Sequence, residues 1–559
     1  MNTLHAPTGS DAADALHCDV LVIGGGPAGC WAALTASEAG ARVILADKGY
    51  VGTSGATAPT NSTVHYIVPD DPVQRAGMVR SRLKEGQPFI DLAWVERVYD
   101  QTGANLQRLT DWGYKWPRNE LGAEFRGNLR GADYLHFLRR QLRAHGVQIL
   151  DHSPALELLQ ADDGVAGARG LRRDTGAAWE VRAASVVLAT GGCAFRSGAT
   201  GTFNLTGDGY LMAGEAGAHF SGLEFTGNYA FAPADGTLTK GIIYRSASFS
   251  DADGNPVERP KVFRLLAQGA KAYAVLDKAG DYLADGYRHG QPNIFVYFDR
   301  QGSDPFRDRY PLRLYYEGTV RGSGGLLTAD DGHTTVAGLF AAGDVTSRER
   351  VVGPASSGGG PASSWANASG VWAGKAAAAH AKQIGALAHQ RVLRDSHSLG
   401  RTSPAHEQQA PSYEALLARV QEYVLPLQRN FFRTGDGMRE SLAVLDTLWA
   451  QLKSTGATPA LDTTPVERAR QHIRLRELQA MVASARLFFT SALAREESRG
   501  MHKREDFPQA DADAPVTHVR VAGTPDNTAH PLDHIRQWRA PLAWQATRPA
   551  PAAAEGVPA

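Results

Sequence analysis

The sequence predicts an α/β protein with a Rossmann-like domain, an inserted α+β capping domain and a C-terminal helical domain. Residues 18–48 combine a strand, a glycine turn, a helix and a second strand in the order of a βαβ unit. A second strand-and-glycine signal appears at residues 336–344, and residues 413–499 have the apolar spacing of helices. Alternation of strands with helices favours a parallel sheet, and the later helical run favours a separate helical layer.

The first βαβ unit has the pattern of a dinucleotide-binding turn. The apolar run 20–23 is followed by Gly24, Gly26 and Gly29, and Asp47 stands after the next strand. The first glycine permits a tight turn, the second leaves room for a pyrophosphate, and the third lets the helix pack closely. The helix N-terminus attracts phosphates, and Asp47 is placed to accept hydrogen bonds from a ribose. We therefore expect a dinucleotide here.

The later signal indicates which dinucleotide binds. Asp344 follows a strand and a glycine, where it could bond the ribityl hydroxyls of a flavin. The glycine-rich loop 356–362 then opens a helix with Pro361 near its first turn. That helix N-terminus would favour an anionic reduced flavin ring. A dehydrogenase that uses only NAD has no need of this second site, so the pattern predicts FAD.

Composition excludes several functional classes. The chain has 559 residues, with 58 Lys and Arg against 58 Asp and Glu, so net charge does not favour nucleic acid. Its three cysteines, Cys18, Cys30 and Cys193, have no CxxC spacing and cannot supply the four thiolates of an iron–sulfur cluster. No signal peptide, membrane-spanning run or metal-ligand cluster is apparent. We expect a cytoplasmic protein that binds no metal and does not insert into membranes; an oligomer is possible.

The domain boundaries follow from changes in pattern along the chain. We expect a disordered lead, a discontinuous FAD-binding domain, a capping domain, a linker, a helical domain and an extended tail. They occupy, in that order, residues 1–17, 18–219 with 335–385, 220–334, 386–412, 413–510 and 511–559.

Several motifs resemble those of the fumarate reductase/succinate dehydrogenase flavoprotein superfamily. They include VLVIGGGPAG, SGAT, VVLATGG, NLTGDGYLMAGEAGA, VAGLFAAGDV and the segment REESRGMHKREDFP at 495–508. The resemblance covers roughly residues 18–510, and parts of the early segment also look like the adenylylsulfate reductase α subunit. It implies a flavoprotein oxidoreductase with a cap over the flavin. The residues expected to contact FAD are Gly24, Gly26, Pro27, Ala28, Gly29, Asp47, Lys48, Thr53, Ser54, Gly55, Ala56, Thr57, Ala155, Ala189, Thr190, Gly191, Gly192, Asn204, Asp208, Gly343, Asp344, Gly360 and Ala362.

Departures from the family pattern concern the substrate. The loop 52–59 lacks the histidine that ties FAD covalently in succinate dehydrogenases, so we expect non-covalent FAD. Tyr229 stands where the family pattern E-F-x-x-x-H-P-T has a substrate-binding histidine. Arg245 is a candidate by position for the proton-donating arginine, and Arg321 lies in the glycine loop that replaces H-Y-x-M-G-G. By comparison with adenylylsulfate reductase, Asn61 falls on an active-site asparagine.

These departures leave three functional hypotheses. The first is an FAD-dependent oxidoreductase that transfers a hydride between flavin N5 and a small anionic substrate other than succinate or fumarate, with Arg321, Tyr229, Arg245 and Asn61 as catalytic candidates. The second is an electron-transfer subunit that works with a separate iron–sulfur or ferredoxin-like protein. The third is an FAD-containing binding or regulatory protein. The sequence does not choose the substrate, the reaction direction or the electron acceptor.

Overall fold

The computed structural model describes residues 15–68, 71–86, 88–118, 122, 124–239, 241–290, 292–355, 358–394, 412–454, 463–511, 516–524 and 530–542. Most of the expected lead (1–14) and of the expected linker (395–411) lies outside these described residues. The end of the lead differs from the prediction, because the first strand already begins at Leu16.

The first domain is built on a seven-stranded sheet of order β5-β2-β1-β8-β7-β6, with β15 (Leu339–Ala341) also paired to β8. Strands β5, β2, β1, β8 and β15 run parallel, whereas β6, β7 and β8 form an antiparallel set. The elements are β1 (Leu16–Ile23), α1 (Pro27–Glu38), β2 (Val43–Ala46), β3 (Asn61–Thr63), α2 (Pro72–Gly86), α3 (Leu92–Asp111), β4 (Asn128–Arg130), α4 (Gly131–Ala144), β5 (Gln148–Leu150), β6 (Ala155–Ala161), β7 (Gly164–Leu171), β8 (Ala178–Leu188), α5 (Asp208–Glu215) and β9 (His219–Ser221).

The cap has its own antiparallel sheet, of order β10-β13-β12-β11. Its separate core is rich in aromatic residues, among them Phe231, Tyr244 and Phe298. The region therefore combines an antiparallel sheet with helices, as the α+β prediction for it requires. The elements are β10 (Tyr229–Pro233), β11 (Ser248–Ser250), α6 (Arg259–Ala267), β12 (Tyr273–Val275), α7 (Asp281–Gly290), α8 (Phe295–Gln301), β13 (Tyr310–Tyr316) and β14 (Gly325–Leu326).

The chain then returns to the first domain and forms the helical layer. α10 packs against α1 at close range, because a Cβ on Gly370 or Gly374 would stand 2.4 or 2.2 Å from the carbonyl oxygen of Ala28 or Ala32. The elements are β15 (Leu339–Ala341), α9 (Glu349–Val352), α10 (Gly359–Ile384), α11 (Tyr413–Val424), α12 (Leu427–Asn430), α13 (Gly435–Ser454), α14 (Pro465–Ala494), β16 (Thr517–Gly523) and β17 (Ile535–Pro541).

The expected extended tail is wrong for residues 517–541. β16 and β17 pair with each other, and β16 also pairs with β9, which gives a second sheet of order β14-β9-β16-β17. Val519 and Val521 are fully buried. Their alternation with polar residues is the period of a half-buried strand, so the sequence contained a signal for this element.

A buried ion pair joins the C-terminal segment to the region where the cap begins. Arg495 donates to Glu224 at 2.8 Å and to Glu497 at 2.7 Å, and Ser491 donates its hydroxyl to Glu224 at 2.7 Å. Arg495 and Glu224 are both completely buried. Burial of paired charges holds this junction in one geometry because either charge alone would be strongly unfavourable there.

Candidate functional site

The turn from β1 into α1 forms part of a cleft at the carboxyl ends of the parallel strands. Gly24 has φ +107°, and a Cβ on it would stand 2.3 Å from the carbonyl oxygen of Ala189. A Cβ on Gly29 would stand 1.8 Å from the carbonyl oxygen of Gly24. At Gly26, the N-cap of α1, a Cβ would meet nothing within 4 Å, and no side chain caps the helix. The first N–H groups of α1 therefore have room to receive a phosphate.

Asp47 lies directly after β2 and lines the same cleft. Its carboxylate accepts hydrogen bonds from the N–H groups of Gly25 and Gly49 and from the hydroxyl of Ser54, each at 2.7 Å. A carboxylate offers about four acceptor positions. These three bonds therefore fix the orientation of Asp47 and leave capacity for a ribose hydroxyl.

Lys48 connects the cleft to the helical layer. Its Nζ donates to Thr206 at 2.8 Å and to Asp208 at 2.7 Å, and it lies 3.3 Å from a carboxylate oxygen of Glu477 on α14. Burial alone would lower the pKa of Lys48, but Asp208 and Glu477 outweigh it and raise that pKa. Lys48 thus stays charged and ties α14 to the wall of the cleft.

The second predicted signal reaches the same cleft. Gly343 and Asp344 line it, and the carboxylate of Asp344 is paired with Arg348. The N-cap of α10 is Gly358, again with no side-chain cap, and Gly359 lines the cleft. Two helix N-termini and two acids are therefore arranged around one cleft of about 1230 Å³, a volume that includes the part open to solvent.

Two buried polar atoms in the lining test whether a cofactor fits. Thr190 Oγ1 and Asn367 Nδ2 have no hydrogen-bond partner in the structure. The other side of Asn367 is occupied, because its Oδ1 accepts from Tyr134, whose oxygen accepts from Trp31. Buried polar groups in folded proteins are almost always paired. The two unpaired atoms fit a ligand with polar groups along its length, as FAD has.

The structure brings most of the expected FAD contacts together. Gly29, Thr53, Gly192 and Gly360 are the ones that do not line the cleft; Gly29 and Gly192 serve close packing instead, since a Cβ on Gly192 would stand 2.4 Å from Thr319 Oγ1. The expected residues in the lining are Gly24, Gly26, Pro27, Ala28, Asp47, Lys48, Ser54, Gly55, Ala56, Thr57, Ala155, Ala189, Thr190, Gly191, Asn204, Asp208, Gly343, Asp344 and Ala362.

Several lining residues were not predicted, among them Thr60, Ser62, Tyr134, Ser363 and Asn367. Tyr134 lies on the buried face of α4, where helical spacing predicts a core residue. Tyr134 reaches the cleft because α4 and α10 both pack against α1, and no short sequence motif predicts that packing. Thr60 and Ser62 flank the predicted Asn61, and that neighbourhood was the available signal.

Among the catalytic candidates, Arg321 reaches the cleft. It follows the short 3-10 turn 318–320, and its Nη1 donates to the carbonyl of Gly358 at 3.2 Å. The buried Arg348 holds this turn by donating to the carbonyls of Thr319 and Val320, each at 3.0 Å. Arg321 is thereby placed beside the N-terminus of α10.

Tyr229 and Arg245 lie elsewhere. The hydroxyl of Tyr229 donates to the carbonyl of Leu425 at 2.8 Å, and its ring packs against Tyr316 and Phe431. Burial raises the pKa of Tyr229 well above its ordinary value. Arg245 is exposed on a separate cleft of the cap that shares no lining residue with the cofactor cleft. The aromatic signal at Tyr229 is therefore that of the core.

Asn61, the remaining catalytic candidate, pairs through its backbone with Arg130 in the two-stranded sheet of β3 and β4.

The three cysteines are buried and free. Burial raises the pKa of Cys193 to about 12, as expected for a packed thiol rather than a redox-active one. Among the described residues, no helix combines the length and apolarity that crossing a bilayer requires, and no cluster of three potential metal ligands occurs.

Known protein families match two parts of this chain. Residues 19–235 match the FAD binding domain family, and residues 424–546 match the fumarate reductase flavoprotein C-terminal family. L-aspartate oxidase from Streptomyces coelicolor is 27% identical over 588 aligned residues, which cover 94% of each chain. The quinol fumarate reductase structure from E. coli has a TM-score of 0.75 at 20% identity and covers 94% of this chain and 97% of its own.

The adenylylsulfate reductase structure from Archaeoglobus fulgidus has a TM-score of 0.71 at 18% identity, covering 94% of this chain and 96% of its own.

The cleft and these matches define an FAD-dependent oxidoreductase. The two family matches together span more than half of the chain. The chain is therefore similar to L-aspartate oxidase and to fumarate reductase flavoproteins over nearly its whole length. Its C-terminal match runs past residue 541, so the β16–β17 pair is part of the family region.

Proposed function

We propose that the protein transfers a hydride between non-covalently bound FAD and a small anionic organic substrate other than succinate or fumarate. The observation that carries this proposal is the position of Arg321 in the cofactor cleft beside the N-terminus of α10. A guanidinium there can bind a carboxylate or another oxyanion through two parallel hydrogen bonds.

The residues that would hold FAD are those of the two helix N-termini and the acids Asp47 and Asp344. Bound FAD supplies the redox chemistry, which is hydride exchange with a substrate carbon. The protein's own residues orient the reactants. Arg348 fixes the turn that carries Arg321. Arg321 then binds the anionic substrate and holds the guanidinium N–H groups against the substrate's oxygen atoms.

Non-covalent binding is supported by the chemistry of the lining. Among the described residues that line the cleft, none is a histidine or a cysteine. The lining does contain Tyr134, but its hydroxyl already donates to Asn367 at 2.9 Å. The described part of the lining therefore presents no nucleophile of the kind that commonly bonds a flavin. We expect acid precipitation of the pure protein to leave all of its FAD in the supernatant.

A substrate other than succinate or fumarate is supported by the region of Tyr229. The family pattern has a substrate-binding histidine at this position, whereas the Tyr229 hydroxyl here is committed to a backbone carbonyl. A dicarboxylate would lose a donor at one end, and each lost donor leaves a charge unpaired.

The test is an anaerobic screen of small organic acids against the holoenzyme, read by bleaching or return of the visible flavin absorbance. We expect at least one acid outside the succinate–fumarate pair to react, and Arg321→Gln to lower its kcat/KM about 10- to 100-fold, a loss of about 1.4–2.8 kcal/mol. Arg300→Gln, on the cap helix α8, is the control. If no acid changes the flavin, the oxidoreductase proposal with a small substrate fails.

A second candidate is an electron-transfer subunit that works with a separate iron–sulfur protein. It is favoured by the three cysteines, all of which are buried and so unable to present a cluster. Rapid full turnover with dioxygen as the sole acceptor would exclude this candidate. Turnover that begins only when a ferredoxin-like protein is added would favour it over direct oxidase activity.

A further inference from the structure

The cap carries a second cleft, which shares no described lining residue with the cofactor cleft. It has a volume of about 970 Å³, which includes the part open to solvent. Three segments of the cap line it: residues 244–249, residues 256–259 at the start of α6, and Lys278 shortly after β12. We call this space the cap cleft.

Hydrogen bonds fix these three segments against one another. The backbone N–H of Val257 donates to the carbonyl of Phe249 at 2.9 Å. The backbone N–H of Lys278 donates to the carbonyl of Ser246 at 3.0 Å, and its Nζ donates to the carbonyl of Ala247 at 3.3 Å. The cap cleft is therefore part of the folded cap, formed by segments that are distant in sequence.

The lining of the cap cleft is positively charged. Arg245, Arg259 and Lys278 line it, and all three are exposed, so a ligand can reach them. Neither arginine forms an ion pair with any residue that the structure describes. The one carboxylate of the described lining, Glu258, lies 3.5 Å from Lys261. Three cations and one carboxylate leave two net positive charges along the cleft.

The two guanidinium groups act on each other. Burial, and then the charge of Arg245, lower the pKa of Arg259. Like charges that line one cleft repel each other, and an anion held between them turns this repulsion into attraction. Arginine is suited to that contact because its planar guanidinium matches the oxygens of a carboxylate or phosphate through two parallel hydrogen bonds.

The cap cleft also has an apolar side. Tyr244 and Phe249 belong to its lining and are 1% and 8% exposed, with their rings inclined by 19° and their centroids 6.5 Å apart. Pro256 and Val257 continue this side. Sites for small organic ligands commonly combine an apolar surface with a few charged groups. The arrangement fits an organic anion better than an inorganic one.

We propose that Arg245, Arg259 and Lys278 bind a phosphate monoester whose apolar organic group lies against Phe249. A phosphate monoester carries close to two negative charges near neutral pH, which matches the two net positive charges of the lining. Because the cofactor cleft and the cap cleft share no described lining residue, this site is separate from the hydride-transfer site and does not rest on the proposed function.

The experiment is isothermal titration calorimetry of the FAD-loaded protein with phenyl phosphate, inorganic phosphate and benzoate. The titrations use the Arg321→Gln protein, so that an anion bound in the cofactor cleft does not contribute. We expect phenyl phosphate to bind at one site per chain. Inorganic phosphate lacks the apolar group and benzoate lacks the second charge, so each should bind about tenfold more weakly. Added NaCl should weaken the binding of phenyl phosphate.

Further variants in the same protein assign the site. Arg245→Gln and Arg259→Gln should each weaken phenyl phosphate binding about tenfold, and Arg245→Lys, which keeps the charge, should weaken it less. The matched control is Arg307→Gln, which removes an arginine that is 86% exposed elsewhere on the cap and should leave binding unchanged. FAD content and the thermal unfolding midpoint check that each variant is folded.

Four results would overturn the proposal. The first is no binding of phenyl phosphate, and the second is unchanged binding in folded Arg245→Gln and Arg259→Gln proteins. The third is binding of inorganic phosphate as tight as that of phenyl phosphate, which would remove the apolar part of the site. The fourth is tighter binding of hexaglutamate than of phenyl phosphate, because the cap cleft would then be a contact for an acidic protein segment.

Discussion

Residues 24–47 and residues 224–229 both carry motifs of the family, but they have opposite fates in the fold. The first segment directs backbone N–H groups and Asp47 into the cofactor cleft. In the second, Glu224 is buried against Arg495, and the Tyr229 hydroxyl is bonded to a backbone carbonyl. A motif that works through backbone geometry shows its function in the sequence, whereas one that depends on side chains can become part of the core.

The largest effect should come from the glycines of the first segment. Gly29→Ala places a Cβ 1.8 Å from a backbone carbonyl oxygen, so we expect loss of folded, FAD-containing protein. Gly26→Ala meets no protein atom and should fold but lose most of its FAD affinity, because its methyl group stands where the phosphates approach. FAD content and thermal unfolding distinguish the two results.

Gly103→Ala on α3 is the control for both variants, since a Cβ there also meets nothing within 4 Å and alanine favours a helix by up to about 1 kcal/mol. Normal FAD affinity in a folded Gly26→Ala protein would show that phosphates do not approach this turn.

The second effect concerns the junction at Glu224. Arg495→Met removes the partner of a completely buried carboxylate, and we expect the free energy of unfolding to fall by roughly 3–5 kcal/mol. Urea unfolding measures this loss. Adding Glu224→Gln should recover part of it, since no buried charge then remains unpaired. The exposed Arg439→Met, which disrupts a surface pair with Asp436, should change stability by less than about 1 kcal/mol.

A result for Arg495→Met as small as that for Arg439→Met would mean that Glu224 is not locked in place. The 224–229 segment would then be free to bind a substrate and would not be part of the core.

The third effect is a pH dependence of the buried ion pair between Glu215 on α5 and Arg476 on α14. Burial would raise the pKa of Glu215, but Arg476 and His530 outweigh it and lower that pKa from 4.5 to about 2. A depressed pKa stabilises the fold above pH 4.5, and this stabilisation is lost as the pH falls toward 2. We expect up to about 3 kcal/mol from this group, measured as a falling urea midpoint between pH 5 and pH 3. Glu215→Gln should flatten that slope, and the exposed Glu258→Gln should not.

The part of the site that could be predicted is the part encoded within a few residues. The turn Gly24–Gly29 and the pair Gly343–Asp344 are local, because a strand end, a glycine and a helix start dictate one another. Tyr134 and Asn367 meet only because two helices, separated by more than 200 residues, pack around α1. No spacing rule could reveal that contact.

The same reasoning explains the misplaced cap residues. Arg245 was a candidate only by its position in the sequence, whereas the cap folds around its own aromatic core and places Arg245 on a separate cleft. The β16–β17 pair was missed for a different reason. The valines of β16 alternate as in a strand, but its neighbour β17 has the largely polar sequence IRQWRAP, and its other partner, β9, lies about 300 residues earlier.

The smallest effect, and the sharpest test of the comparison, is Tyr229→Phe. Loss of one buried hydroxyl bond to Leu425 should cost about 1 kcal/mol of stability, and kcat/KM with a reactive acid should not change. Arg321→Gln should show the reverse, with stability preserved and kcat/KM reduced. Both variants should retain full FAD content, because neither residue belongs to the glycine turn or the acids that hold the cofactor. A Tyr229→Phe protein of normal stability but with tenfold lower kcat/KM would mean that Tyr229 leaves the core during turnover to act on substrate.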